Sequence, residues 1–211
     1  MGAIDHRSWA RTLLAAAALA HASPASPAPP AADDREVRFE RGAQEWALAV
    51  GQGLGIHLFG SVGSDLEDVE LVALLPRWGI GLSEPLSGDA WYRGNLELLA
   101  EGAFLYAYEP KGGFAWGGSL LLRWNFLASQ RVVPFLELGA GLVDLEFDLE
   151  HQADGINFTP QGGVGLHYRM SRRTAITGEW RLHHISNADL RQDNDGINDS
   201  LALVGVSFFP E

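Results

Sequence analysis

The chain has 211 residues, 46% of them hydrophobic, with 25 glycines and no cysteine, which is room for a single domain at the usual ~100–200 residues each. Without cysteine there are no disulfides, no thiolate metal centres and no cysteine nucleophile, although the redox compartment stays open. A formal net charge of −12 argues against a nucleic-acid partner, which calls for a basic surface.

The first residues form a separate object. Arg7 and Arg11 precede an apolar run from Leu13 to Ala20, and Ala20-His21-Ala22 fits the small-x-small cleavage rule. This is the layout of a secretory signal peptide over residues 1–22, its apolar run well short of the ~20 residues a spanning helix needs. Residues 23–40 open on a Pro/Ala stretch, Ser23 to Ala32, that cannot build a core and reads as a linker. Residues 41–211 then form the folded domain. No later segment holds ~18 uninterrupted apolar residues, so membrane-spanning helices are excluded. The exported body is a soluble β-protein or a membrane β-barrel.

Period-two alternation runs through that body. Leu96, Leu98, Phe104, Tyr106 and Tyr108 share one face, with Glu97 and Glu101 on the other. Phe114, Trp116, Leu120, Leu122, Trp124 and Phe126 oppose Ser119, Arg123 and Asn125. Val164, Leu166, Tyr168 and Met170 oppose Gly163, Gly165, His167 and Arg169. Successive strand side chains point to opposite sides, so each segment has an oily and a polar face. Strand lengths of ten residues or more suit a tilted membrane-spanning strand. Trp46, Trp91, Tyr108 and Trp124 fall near strand ends, as in the aromatic girdles of barrels.

Eight strands are expected, at 45–59, 67–82, 91–108, 113–126, 131–149, 157–170, 173–186 and 197–209. The fold class is therefore all-β, an eight-stranded antiparallel outer-membrane β-barrel with a polar interior filled by side chains. The fifth strand looks bulged, since its apolar parity slips between Leu142 and Val143. The tight links Leu127–Gln130 and Met170–Arg173 read as periplasmic, which sends the seventh strand outward to the cell exterior.

The seventh strand carries the chemistry. Its odd face, Ala175, Thr177, Glu179, Arg181 and His183, points inward. Its even face is oily through Leu182 and then delivers His184 and Ser186. Residues i and i+2 share a face, so an imidazole and a hydroxyl stand together on the lipid side. A neighbouring His turns a weak serine nucleophile into an acyl-transfer group. On spacing and parity alone the pair reads first as an interfacial hydrogen-bonding couple. His183, His167 and His151 read as lumen or loop histidines, and no convincing zinc ligand set is present. The acidic stretch Asp189 to Asp199 fails as a calcium loop: a register on Gly196 puts Arg191 first and Ala202 twelfth.

The run H-I-S-N-A-D-L, His184 to Leu190, followed by N-D-G-I-N, Asn194 to Asn198, resembles the signature of the lipid A 3-O-deacylase family (PagL type). N-F-T-P-Q-G-G-V-G, Asn157 to Gly165, and P-F-L-E-L-G-A-G, Pro134 to Gly141, are similar to that family's strands. The resemblance covers about the last eighty residues well and the first half in strand pattern only. It implies hydrolysis of the ester-linked 3-acyl chain of lipid A in the bacterial outer membrane, without a cofactor or metal. Carried over, Ser186 is the nucleophile and His184 the base. Asn187, or nearby backbone N–H groups, would hold the oxyanion, with Asn194 a further candidate. One position departs: the best-known member has Glu where this chain has Asn198 as orienter of the histidine. An asparagine can accept the imidazole hydrogen bond, yet it cannot stabilise the imidazolium by charge. Asp195 or Asp199 are the alternatives. The partners implied are lipopolysaccharide and outer-membrane lipid, and a homodimer is left open. A non-catalytic structural or adhesive barrel, or an outer-membrane phospholipase, are the competing functions.

Overall fold

The computed structural model describes residues 39–56, 69–129 and 131–210; the expected signal peptide and nearly all of the linker lie outside them. Nine strand segments follow in order: β1 (Gln44–Gly55), β2 (Glu70–Gly81), β3 (Gly94–Glu109), β4 (Gly113–Phe126), β5 (Val132–Glu146), β6 (Gly155–Phe158), β7 (Gln161–Arg169), β8 (Thr174–Ile185) and β9 (Ile197–Phe208). Every pairing is antiparallel. Each stave hydrogen-bonds its sequence neighbours, and β9 returns to β1, closing the sheet. A closed barrel leaves no unpaired edge, the condition for placing strands in hydrocarbon.

The staves number eight, as the sequence predicts, but the sixth is in two pieces. β6 and β7 hold one register on β5, with Leu142 opposite Phe158 and Gly139 opposite Gln161. Between them Thr159 exchanges backbone bonds with Gly141, at 2.9 and 3.2 Å. Pro160 has no N–H to continue the ladder. The bulge expected in the fifth strand is absent. The β4–β5 register runs unbroken from Phe114↔Glu146 to Asn125↔Phe135, and Val143 and Leu145 point inward with Phe135 and Glu137. The apparent slip has a different cause: the inward face changes from charged to apolar while the outward face turns acidic at Asp144 and Glu146. An irregularity does occur between β2 and β3, at Glu70 and Leu71.

That change of character divides the interior into layers. Near the chain's C-terminal end Phe39, Val133, Ala175 and Phe209 pack together. The middle holds Arg77, Arg123 and Arg181, ion-paired to Glu45, Glu101, Glu137 and Glu179. Above them, towards the end of β8, lies a cluster that includes Leu71, Leu105, Val143, Leu145, Ile185 and Leu201. The expectation of a polar interior therefore holds for the middle only. Outside, Leu48, Leu74, Phe104, Leu120, Leu138 and Val206 are all exposed. An apolar exterior wound around buried charges inverts the pattern of a water-soluble protein, and hydrocarbon is the solvent that suits it.

Candidate active site

The β8–β9 ladder sets His184 directly opposite Asn198. Both side chains project on the outward parity of their strands. Asn198 Oδ1 lies 2.8 Å from His184 Nδ1, and Asn198 is buried at 5% exposure. A carboxamide oxygen only accepts, so the ring proton belongs on Nδ1 and the lone pair on Nε2. That tautomer is the one a general base requires. Asp199 instead points inward, fully buried, with its Oδ2 3.4 Å from His183 Nδ1. Asp195 is exposed and spends its amide on the His151 carbonyl at 3.1 Å. Of the three candidates for the ring, Asn198 is the one in contact with it.

Ser186 follows just past the end of β8, on the same face as His184. Its backbone is fixed by a bridge to Phe158 of β6, with N···O distances of 2.7 and 3.1 Å. The broken stave thus reaches far enough to hold the serine from the β6 side. Among the described residues no hydrogen bond joins Ser186 Oγ to the imidazole. Catalytic hydrogen bonds of this kind are often long or poorly aligned before substrate binds and tighten around it.

The link from β8 to β9 is braced by its own asparagines. Asn187 turns inward, fully buried. Its amide N–H donates to Asn194 Oδ1 at 2.6 Å, and its Nδ2 donates to the Asp193 carbonyl at 3.3 Å. Asn194 Nδ2 donates to the exposed Asp189 carboxylate at 2.9 Å. Ala188 and Asp189 both adopt positive φ, 53° and 60°. Consecutive left-handed non-glycine residues are costly and, when they occur, cluster at functional sites. They leave the amides of Ala188 and Asp189 outside the loop's own hydrogen bonding.

Three further residues at the site escape sequence reasoning. Gly196 has φ +79°, and a Cβ there would come within 2.7 Å of His184 Cε1. Gln152 Oε1 accepts from the Gly196 N–H at 3.0 Å, and Gln152 Nε2 donates to Asn157 Oδ1 at 2.8 Å. Gly196 carries a signal as the turn glycine of N-D-G-I-N, and Asn157 as the first residue of N-F-T-P-Q-G-G-V-G. Nothing in the periodicity marks Gln152, because it depends on two links meeting in space. His167 is buried in the lumen, His183 faces inward, and His151 is exposed on the β5–β6 link.

Over residues 68–207, a span that includes His184, Ser186, Asn187, Asn194 and Asn198, the sequence matches the family model described as Lipid A 3-O-deacylase (PagL).

The chain belongs to the lipid A 3-O-deacylase (PagL) family.

A solved structure described as that of the outer membrane enzyme PagL resembles this chain with a TM-score of 0.56 at 20% identity, covering 76% of this chain and 97% of that one. Neisserial surface protein A matches with a TM-score of 0.55 at 13% identity, over 79% and 96% of the two chains. At these identities the likeness is one of fold, which a PagL-family barrel shares with a protein of another name. No protein of curated description matches the sequence.

Proposed function

We propose that this protein is an outer-membrane lipid A 3-O-deacylase working by serine chemistry. The observation that carries the reading is the outward-facing His184, held on Asn198 two residues before Ser186, in a chain of the PagL family. In this reading the signal peptide is removed on export and the end of β8 faces the outer leaflet, where lipopolysaccharide lies.

Ser186 Oγ attacks the carbonyl carbon of the 3-linked ester while His184 Nε2 takes the hydroxyl proton. The oxyanion so formed is met by the backbone N–H groups of Ala188 and Asp189, with the Asn194 amide able to leave an exposed carboxylate to join them. Asn187 supports that arrangement by bracing the loop. His184 returns the proton to the departing sugar oxygen, giving an acyl-serine. Water, deprotonated by the same ring, then cleaves the acyl-serine and releases a 3-hydroxy fatty acid with Ser186 regenerated. Asn198 fixes the tautomer throughout. It adds no negative charge to stabilise the imidazolium, so turnover is expected to be slow for this class of site.

Mass spectrometry of lipid A from cells expressing the protein tests the reading. Loss of one 3-hydroxyacyl chain is expected with the intact protein and not with Ser186→Ala. Unchanged lipid A with released phospholipid fatty acid would make the protein a phospholipase. No change in either lipid would make it a structural barrel.

A further inference from the structure

We propose that Gln152 is a positioning residue for His184, acting through the backbone of Gly196; the inference rests on the reading of His184 as the general base. Asn198 holds the ring at Nδ1, and a single hydrogen bond does not by itself fix the tilt of a ring. The Gly196 backbone lies beside Cε1, the ring carbon between the two nitrogens. A Cβ at this position would stand 2.7 Å from Cε1 and 3.4 Å from Nε2, so the glycine is the wall on which the proton-accepting side of the imidazole rests.

What fixes the wall is a second link. Gly196 belongs to the stretch between β8 and β9, outside the barrel ladder. Its N–H donates to Gln152 Oε1, 3.0 Å away on the β5–β6 link. The orientation of that carboxamide is dictated further along. Asn157 Nδ2 donates to the carbonyls of Ala153 and Gly155 at 3.2 and 2.9 Å, which turns Asn157 Oδ1 towards Gln152. Gln152 must therefore offer Nε2 to Asn157, at 2.8 Å, and Oε1 to Gly196. Gln152 and Asn157 are 1% and 0% exposed, so neither end of this chain is shared with solvent. Two backbone bonds tie the same links together, Ala153 to Asp193 at 2.8 Å and Asp195 to His151 at 3.1 Å. An uncharged, directional path thus runs from β6 to the Cε1 side of the His184 ring. Removing the Gln152 acceptor orphans a buried N–H and releases the wall.

The test compares Gln152→Met, which keeps the side chain's length but neither polar atom, with Gln152→Glu, which keeps an acceptor for Gly196. Full-length protein is refolded in detergent and confirmed by its heat-sensitive gel mobility. Turnover is measured on lipopolysaccharide, and the His184 ring nitrogens are followed by 15N NMR. Misplacing a catalytic group by about 1 Å costs up to ~100-fold. Gln152→Met is accordingly expected to lose ten- to a hundredfold in kcat at unchanged KM, with shifted His184 resonances, and Gln152→Glu, which keeps the Gly196 bond but sets an oxygen against Asn157 Oδ1, to recover only part of both. Wild-type kcat and unmoved His184 resonances in folded Gln152→Met would overturn the inference. The NMR outcome decides it even if turnover is slow. Should Gln152→Met not fold, Gln152→Leu, smaller and equally without a polar atom, carries the same expectation. Ser186→Ala and His184→Ala are run alongside. Full activity in His184→Ala would remove the base reading itself, a result separate from any behaviour of Gln152.

Discussion

Asn198 holds the imidazole at 2.8 Å, and what it lacks relative to a carboxylate is charge in the transition state. Asn198→Asp supplies that charge at nearly constant volume, and the reverse loss in a serine protease costs about 10⁴ in kcat. A rise of tenfold or more in 3-hydroxy fatty acid release is expected; an unchanged or lower kcat would show that the ring is not working as the base. The gain in rate should come with lower stability, since Asp199 is buried next in sequence. Ala188 offers a second test in the same loop. Its φ of 53° places a Cβ in the left-handed region, and Ala188→Gly is expected to raise stability by about 0.5–1 kcal/mol. The denaturant midpoint of detergent-refolded protein checks this, and a lowered midpoint would contradict it. At this scale the two-residue parity of a strand made His184 and Ser186 readable as neighbours, and the same parity placed Asn198 across from them. Gln152 and Gly196 obey no period, because their contact is made by links folding over the barrel end.

Elements were readable where one face differs from the other, and misread where both faces change together. β5 is the instructive case. Its inward face passes from Glu137 to Val143 and Leu145 while its outward face passes from Leu138 to Asp144, and a change of character on both sides mimics a shift of register. The break at Thr159–Pro160 was hidden for another reason: the register on β5 is preserved across it, so the alternation never falters. Leu138, midway along β5 and 71% exposed, tests which solvent bathes the exterior. Leu138→Arg is expected to destabilise the barrel refolded in lipid vesicles by about 2–4 kcal/mol if the residue lies near the bilayer midplane. A neutral effect would mean that this face meets water.

Across the whole molecule the charged middle layer ties opposite staves together. Arg181 of β8 reaches Glu101 of β3 and Glu137 of β5, each at 2.7 Å, and Glu179 of its own strand at 2.7 Å. Buried ion pairs of this kind add little beyond what apolar packing would give, but removing one partner is costly. Arg181→Met leaves three carboxylates facing one another around Arg77 and is expected to cost about 3–5 kcal/mol in the unfolding free energy; a loss under about 1 kcal/mol would mean that water or protons already relieve the cluster. The inward placement of these charges follows from alternation, and the barrel from alternation together with strand length and the aromatic residues near strand ends. The apolar upper layer does not, because Leu71, Ala73 and Leu105 sit on stretches that are apolar on both faces.

The central claim is that Ser186 is an activated nucleophile on the outer wall of the barrel. Treating the refolded protein with a fluorophosphonate, which a nucleophilic serine attacks at phosphorus with loss of fluoride, and mapping the adduct by peptide mass spectrometry tests it most directly. One adduct on Ser186, absent in His184→Ala, is the expected result. An unlabelled Ser186 in folded protein, or equal labelling without His184, would contradict it.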